Sequence, residues 1–176
     1  MGVMAKLTWV LISLLAAAGV TVDLGGLKST APASWKEVPV SNPMRVKQFT
    51  VPGKDGDAEV VIFFFGEGQG GSIDANLERW KKQFQPAAGE SADSNSKTST
   101  VKLASGGKAT VLDIHGTYLY KAKPMDPGPG EPRPNYRMLA AVLESPKGNY
   151  FIRLVGPGKT VEQNKKDFDG WLKAFK

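Results

Sequence analysis

Residues 136–155 read Tyr-Arg-Met-Leu-Ala-Ala-Val-Leu-Glu-Ser-Pro-Lys-Gly-Asn-Tyr-Phe-Ile-Arg-Leu-Val. Two apolar runs, Tyr136 to Leu143 and Tyr150 to Val155, stand on either side of Ser145-Pro146-Lys147-Gly148. Short aliphatic and aromatic runs parted by a Pro/Gly turn make an antiparallel hairpin. A second pair lies upstream, Thr100 to Leu103 and Lys108 to Tyr120, closing at Ser105-Gly106-Gly107. Its second arm alternates, with Leu112, Ile114, Tyr118 and Tyr120 on one side and Asp113, His115 and Thr117 on the other. Hairpin joined to hairpin means a mainly antiparallel sheet.

Working outward, Val60 to Phe65 (VVIFFF) is apolar at every position, as a central strand buried on both faces must be. Trp35 to Val40 and Met44 to Val51 read as short strands around Ser41-Asn42-Pro43. In the second, the apolar phase slips, which places a bulge near Lys47-Gln48. Ser72 is a natural helix N-cap. Ile73, Leu77, Trp80 and Phe84 follow at steps of four, three and four, so an amphipathic helix runs to about Gln85-Pro86. A closing helix is expected from Thr160, with Gln163 completing a capping box, and Val161, Asn164, Phe168, Trp171 and Phe175 form its inner stripe. Residues 87–98 are small and polar, a loop. Residues 123–134 carry five prolines and read as an extended connection. The class is therefore α+β, a mainly antiparallel twisted sheet flanked by helices.

At 176 residues the chain suits one domain. A composition of 41% hydrophobic and 23% charged residues is that of a globular protein, and 20 Gly and 12 Pro imply many turns. The absence of cysteine removes disulfides, thiolate metal sites and cysteine nucleophiles.

The first residues read as a targeting segment. Lys6 is the only basic group of a short n-region, Leu7 to Leu15 is an apolar h-region, and Ala16-Ala17-Ala18 offers the small residues a signal peptidase needs. Cleavage is expected just after Ala18. The alternative is an uncleaved membrane anchor, but the apolar run ends near Val22, short of the ~20 residues that span comfortably. The expected organisation is a signal peptide over 1–18, a linker over 19–34 and one domain over 35–176. The protein is then periplasmic or extracellular, with membrane attachment only if the segment is retained. Its formal charge of +6 is spread without a dense basic run, so no nucleic-acid partner is expected.

Four features could carry chemistry. Gly66, Gly68 and Gly71 match GxGxxG between a strand and a helix, where backbone amides can meet a pyrophosphate. The dinucleotide fold requires a second parallel strand ending in an acid about 20 residues on. Glu90 and Asp93 instead fall in the polar loop, and Ser72 stands without the phosphate-gripping lysine. No cofactor is expected; the plainer role is a turn whose glycines relieve backbone strain. His115 is the only histidine, with Asp113 two residues before it. The pair could serve as a base and its orienting acid, or as two metal ligands, but the sequence offers neither a third ligand nor a nucleophile. No metal site is assigned, and a surface histidine is the plainer role. PxxP occurs at Pro124–Pro127 and Pro129–Pro132, where a stiff connection accounts for it. The aromatics at helical spacing belong to the core.

The tail Phe151-Ile152-Arg153-Leu154-Val155-Gly156-Pro157, with the helix ending Phe168-Asp169-Gly170-Trp171-Leu172, looks like that of small exported bacterial proteins of unknown role. The segment Gly70-Gly71-Ser72-Ile73-Asp74-Ala75-Asn76-Leu77-Glu78-Arg79-Trp80 is similar to their Gly-Gly…Asn-x-x-Arg-Trp pattern. Over residues 34–176 the order of elements resembles the PsbP-like fold, a sheet with helices on its two sides. That fold includes photosystem extrinsic subunits and a nuclear-import factor that binds a small GTPase. The resemblance implies an α/β/α layered domain that acts by binding, without catalytic residues to transfer.

The expected function is accordingly that of a non-catalytic binding or accessory protein of the envelope or periplasm, for an unidentified protein or small ligand. Its expected binding residues are Gly66, Gly68, Gly71, Asn76 and Arg79. The competing class is an exported hydrolase or metal-dependent enzyme using Asp113 and His115.

Overall fold

The computed structural model describes residues 18–86, 88–91, 93–122 and 127–176. The expected signal segment lies, apart from Ala18, outside the described residues, as does Pro124 of the first PxxP. In chain order the elements are β1 (Thr21–Leu24), β2 (Leu27–Thr30), β3 (Lys36–Glu37), β4 (Arg45–Val51), β5 (Ala58–Phe64), α1 (Ile73–Lys81), β6 (Phe84–Gln85), β7 (Ser96–Lys102), β8 (Lys108–Tyr120), β9 (Glu131–Ser145), β10 (Gly148–Pro157) and α2 (Gly158–Lys173). No helix among the described residues is long and apolar enough to cross a membrane.

The 136–155 hairpin is the spine. β9 and β10 pair from Ser145 opposite Gly148 to Tyr136 opposite Pro157. β5 joins β10 on its other side, with Val61 opposite Arg153. The main sheet runs β3-β4-β5-β10-β9-β8-β6, with β7 also on β8, and every pairing is antiparallel. Met138 to Leu143 have no exposed surface, because both faces of these strands are covered. Leu139, Ala141, Leu143, Ile152 and Leu154 face one core, and Met138, Ala140, Val142 and Phe151 the other. That double burial is why the run shows no polar alternation.

α2 closes the first core. Its stripe Val161, Asn164, Phe168, Trp171 and Phe175 is buried as expected, and its rings meet Trp35 and, beyond it, Phe49. α1 closes the second, with Leu77 and Trp80 over Leu112, Ile114, Met138 and Phe151. The layering is helix, sheet, helix. The bulge in β4 falls between Arg45 and Lys47, beside its expected position.

Several boundaries differ from expectation. The segment read as a linker over 19–34 contains the β1–β2 hairpin, whose Val22 and Leu24 are fully buried in the α2-side core. Its turn is Gly25-Gly26, both at positive φ (68° and 100°), the two-residue connection that matches strand twist. Four-residue strands are too short for period-two patterning to stand out. The backbone of Lys28 exchanges hydrogen bonds with that of Lys176 (2.8 and 3.1 Å), and Ser29 Oγ donates to the Trp171 carbonyl at 2.8 Å. Val22→Ala is therefore expected to cost about 1–3 kcal/mol, read as a lower urea midpoint at unchanged slope. A true linker would show no change.

α1 ends at Lys81, and Phe84 instead pairs with Tyr118 as part of β6. The same core buries Phe84 by either route, so its spacing did not distinguish them. Thr160 caps nothing: α2 leaves β10 directly with Pro157 at the N-cap position, and the Thr160 hydroxyl donates to the Gly56 carbonyl at 2.7 Å. The proline connection is shorter than expected, because β9 already begins at Glu131. Pro132 and Pro134 fall where β9 pairs with β8 alone, and an edge tolerates the missing N–H.

Candidate functional site

The glycine loop joins β5 to α1 and is shaped by backbone that side-chain-bearing residues avoid. Gly66, Gly68, Gly70 and Gly71 have φ of 107°, 68°, 91° and 82°. Ser72 then caps α1, its Oγ accepting from the Ala75 N–H at 3.2 Å. Asn76, one turn into the helix and only 1% exposed, anchors the loop. Its Nδ2 donates to the carbonyls of Gly70 and Ser72, both at 2.8 Å. Its Oδ1 accepts from Arg79 Nη2. One buried amide thus sets both the loop and the guanidinium.

Phe65, Gln69, Gly70, Gly71 and Arg79 line an open recess of about 490 Å³. Of the residues expected from sequence, Gly71 and Arg79 meet in it and Asn76 stands behind them. Gly66 and Gly68 lie further out: a Cβ on Gly68 would meet nothing within 4 Å. The residue the motif missed is Gly70. A Cβ there would come 2.5 Å from the Phe151 ring and 3.0 Å from Phe65. Phe65, exposed to 38%, was legible only as the end of an apolar run, and the Gly70-to-Phe151 approach spans half the chain.

Asp113 and His115 are not brought together as a catalytic pair. Asp113 points to the α2 side, where Arg137 holds both of its oxygens, Nε on Oδ1 and Nη2 on Oδ2, each at 2.7 Å. Lys165 of α2 stands 3.8 Å away, and Arg137 also reaches Glu162. The hydrogen bond to Asp113 raises the Arg137 pKa above its ordinary value, burial acting the other way. His115 is exposed, and its backbone exchanges hydrogen bonds with Asn95. No hydrogen bond joins it to Asp113 among the described residues. Nor, among these, does any group of three His, Asp or Glu side chains stand close enough to hold a metal. The recess and this ion-pair network occupy opposite faces of the sheet.

No protein-family model matches the chain, and no curated protein matches it in sequence. Among solved structures it is similar to cyanobacterial PsbP (CyanoP) from Synechocystis sp. PCC 6803. The two are 13% identical, with 93% of this chain and 95% of that one covered, at a TM-score of 0.51. A protein of unknown function from Pseudomonas aeruginosa, PA94, described as a putative regulator, matches at 14% identity and a TM-score of 0.41, over 89% and 94% of the two chains. At such identity the likeness to CyanoP concerns architecture alone. The sheet with one helix on each side is a PsbP-like fold.

Proposed function

We propose that this chain is an exported, non-catalytic binding protein of the cell envelope or periplasm, and that it takes its partner or ligand on the α1 face, at the glycine loop. The observation that carries this reading is the recess itself. An apolar ring, exposed backbone and one guanidinium converge there, and a buried Asn76 fixes both loop and guanidinium. Such pre-set geometry lowers the ordering cost of binding. Proton-transfer chemistry on Asp113 and His115 is disfavoured, because the carboxylate is committed to Arg137 and so does not orient the imidazole as a base–acid pair would.

Support for export comes from the leader pattern, and cleavage after Ala18 would leave β1 intact from Thr21. N-terminal sequencing of protein from its native host is expected to begin near Gly19; an intact Met1 in the membrane fraction would contradict cleavage. For binding, Arg79→Ala is expected to abolish partner recovery from envelope extracts while costing about 1–3 kcal/mol of stability, because the buried Asn76 Oδ1 loses its donor. His115→Ala should leave recovery unchanged. The opposite pattern would overturn the assignment of the binding face.

A further inference from the structure

α1 covers only half of its side of the sheet. Leu77 and Trp80 settle on β8, β9 and Phe151, while Arg45, Gln48 and Glu59 on β4 and β5 remain half-exposed. The register places Arg153 of β10 opposite Val61, and Val61 opposite Gln48. In the neighbouring row Phe63 stands between Arg45 and Phe151. The Arg45 and Arg153 guanidiniums lean on this one ring, their carbons 5.6 and 5.2 Å from its centroid. Phe63 stacks in turn on Phe65, at 6.2 Å and 7°, which leads into the recess at Arg79.

Three cations on this flank meet one carboxylate. Glu59 Oε1 is held by Arg45 Nη1 at 3.2 Å and Gln48 Nε2 at 2.6 Å. Among the described residues no carboxylate lies within salt-bridge distance of Arg79 or Arg153. Each donates to a neutral amide instead, Arg79 to Asn76 Oδ1 and Arg153 to Gln83 Oε1 at 3.2 Å. Arg45 Nε is buried with no hydrogen-bond partner among the described residues. A guanidinium offers five donors in a rigid fork, so the amides orient these groups and leave further donors without a partner among the described residues. Burial lowers the Arg153 pKa, and the charges of Arg45 and Arg79 act in the same direction against Tyr118 and Glu59. Burying charge without a counter-charge is costly, and a bound anion would relieve that cost.

We propose that this flank binds a small oxyanion-bearing ligand, a phosphate or a carboxylate, with Arg79 and Arg153 as its donors and Phe65 as the shelf for its apolar part. The inference rests on the binding role of the α1 face proposed above. Arg45 is neutralised by Glu59 and supplies background field. Guanidiniums suit the planar, bidentate demand of such groups better than lysines would.

Titration calorimetry of the purified protein with inorganic pyrophosphate and, separately, citrate tests it and separates the two sources of oxyanion. Saturable binding of at least one probe is expected. Arg79→Gln and Arg153→Lys should each weaken it about tenfold or more, the latter because an ammonium keeps the charge but loses the fork. Glu59→Gln removes the competing carboxylate and should strengthen binding several-fold, which a merely structural Arg153 would not do. Lys173→Gln, on α2, is the control for general surface charge and should leave affinity unchanged. Absence of saturation by either probe overturns the inference, as does equal weakening by the Lys173 variant. If partner recovery depends on Arg79 yet neither anion binds, the anion site fails while the binding face stands; if both anions bind but no partner is lost with Arg79, the reverse holds.

Discussion

Phe168→Ala is expected to lower the free energy of unfolding by about 3–5 kcal/mol. Phe168 is fully buried, with its ring centroid 6.4 Å from Trp35 and 6.0 Å from Trp171. Trp35 continues to Phe49 at 5.9 Å, and Trp171 to Phe175 at 5.2 Å. The side chain is thus the middle of an aromatic cluster that joins α2 to β4 and to the segment before β3. Removing it opens a cavity walled by aromatic rings and by strands paired on both sides, neither of which collapses inward easily. At about 2–4 °C per kcal/mol for a domain of this size, thermal unfolding should fall by roughly 10 °C or more. Near-ultraviolet circular dichroism should lose intensity with it, since two tryptophans lose their fixed neighbour. A shift of only a degree or two would mean that α2 is held mainly by its polar contacts.

Gly70→Ala is expected to cost about 2–5 kcal/mol, combining positive-φ strain with overpacking. At φ 91° an alanine is strained whatever the space, and its Cβ would sit 2.5 Å from the Phe151 ring. Phe151 cannot yield easily, because β10 is paired on both sides and the ring belongs to the α1-side core. Gly68→Ala is the matched comparison. It carries the same sign of φ, 68°, with open space around it, so only about 1–2 kcal/mol of backbone strain is expected. Denaturant melts of the two variants test the pair directly. Equal losses would show that the loop retreats from Phe151 without penalty.

Those two glycines show where sequence reading reached its limit. The spacing of Gly66, Gly68 and Gly71 marked the loop as unusual, but its tightest approach is made by Gly70 against a ring on a strand far along the chain. Local pattern carries no such distance. The double burial of Val60 to Ile62, the α2 stripe, the Ser72 cap and the β4 bulge were all legible, because each is written in consecutive or helically spaced residues. Phe63 and Phe64 are only half-buried and Phe65 is exposed. Thr160 misled because a hydroxyl three residues before Gln163 suits a capping box equally well as a distant acceptor such as Gly56. The β1–β2 hairpin did carry a signal, Gly25-Gly26, but its fully buried apolar side chains, Val22 and Leu24, are too few to show a period. The arginines of the α1 flank are the extreme case. Arg153 and Gln83 stand 70 positions apart, and a single arginine inside Phe-Ile-Arg-Leu-Val reads as an interruption of the strand.

The backbone exchange between Lys28 and Lys176 has a practical consequence for handling this chain. It fastens Lys176 to a hairpin whose other strand begins at Thr21, so β1 and Lys176 are neighbours on the α2 side. A short flexible linker could join them, and new termini could be opened at the exposed Ser105-Gly106 turn to give a circular permutant with every sheet pairing retained. For the same reason an affinity handle joined to Lys176 would project from the α2 side, leaving the glycine loop on the opposite face clear for immobilised binding measurements.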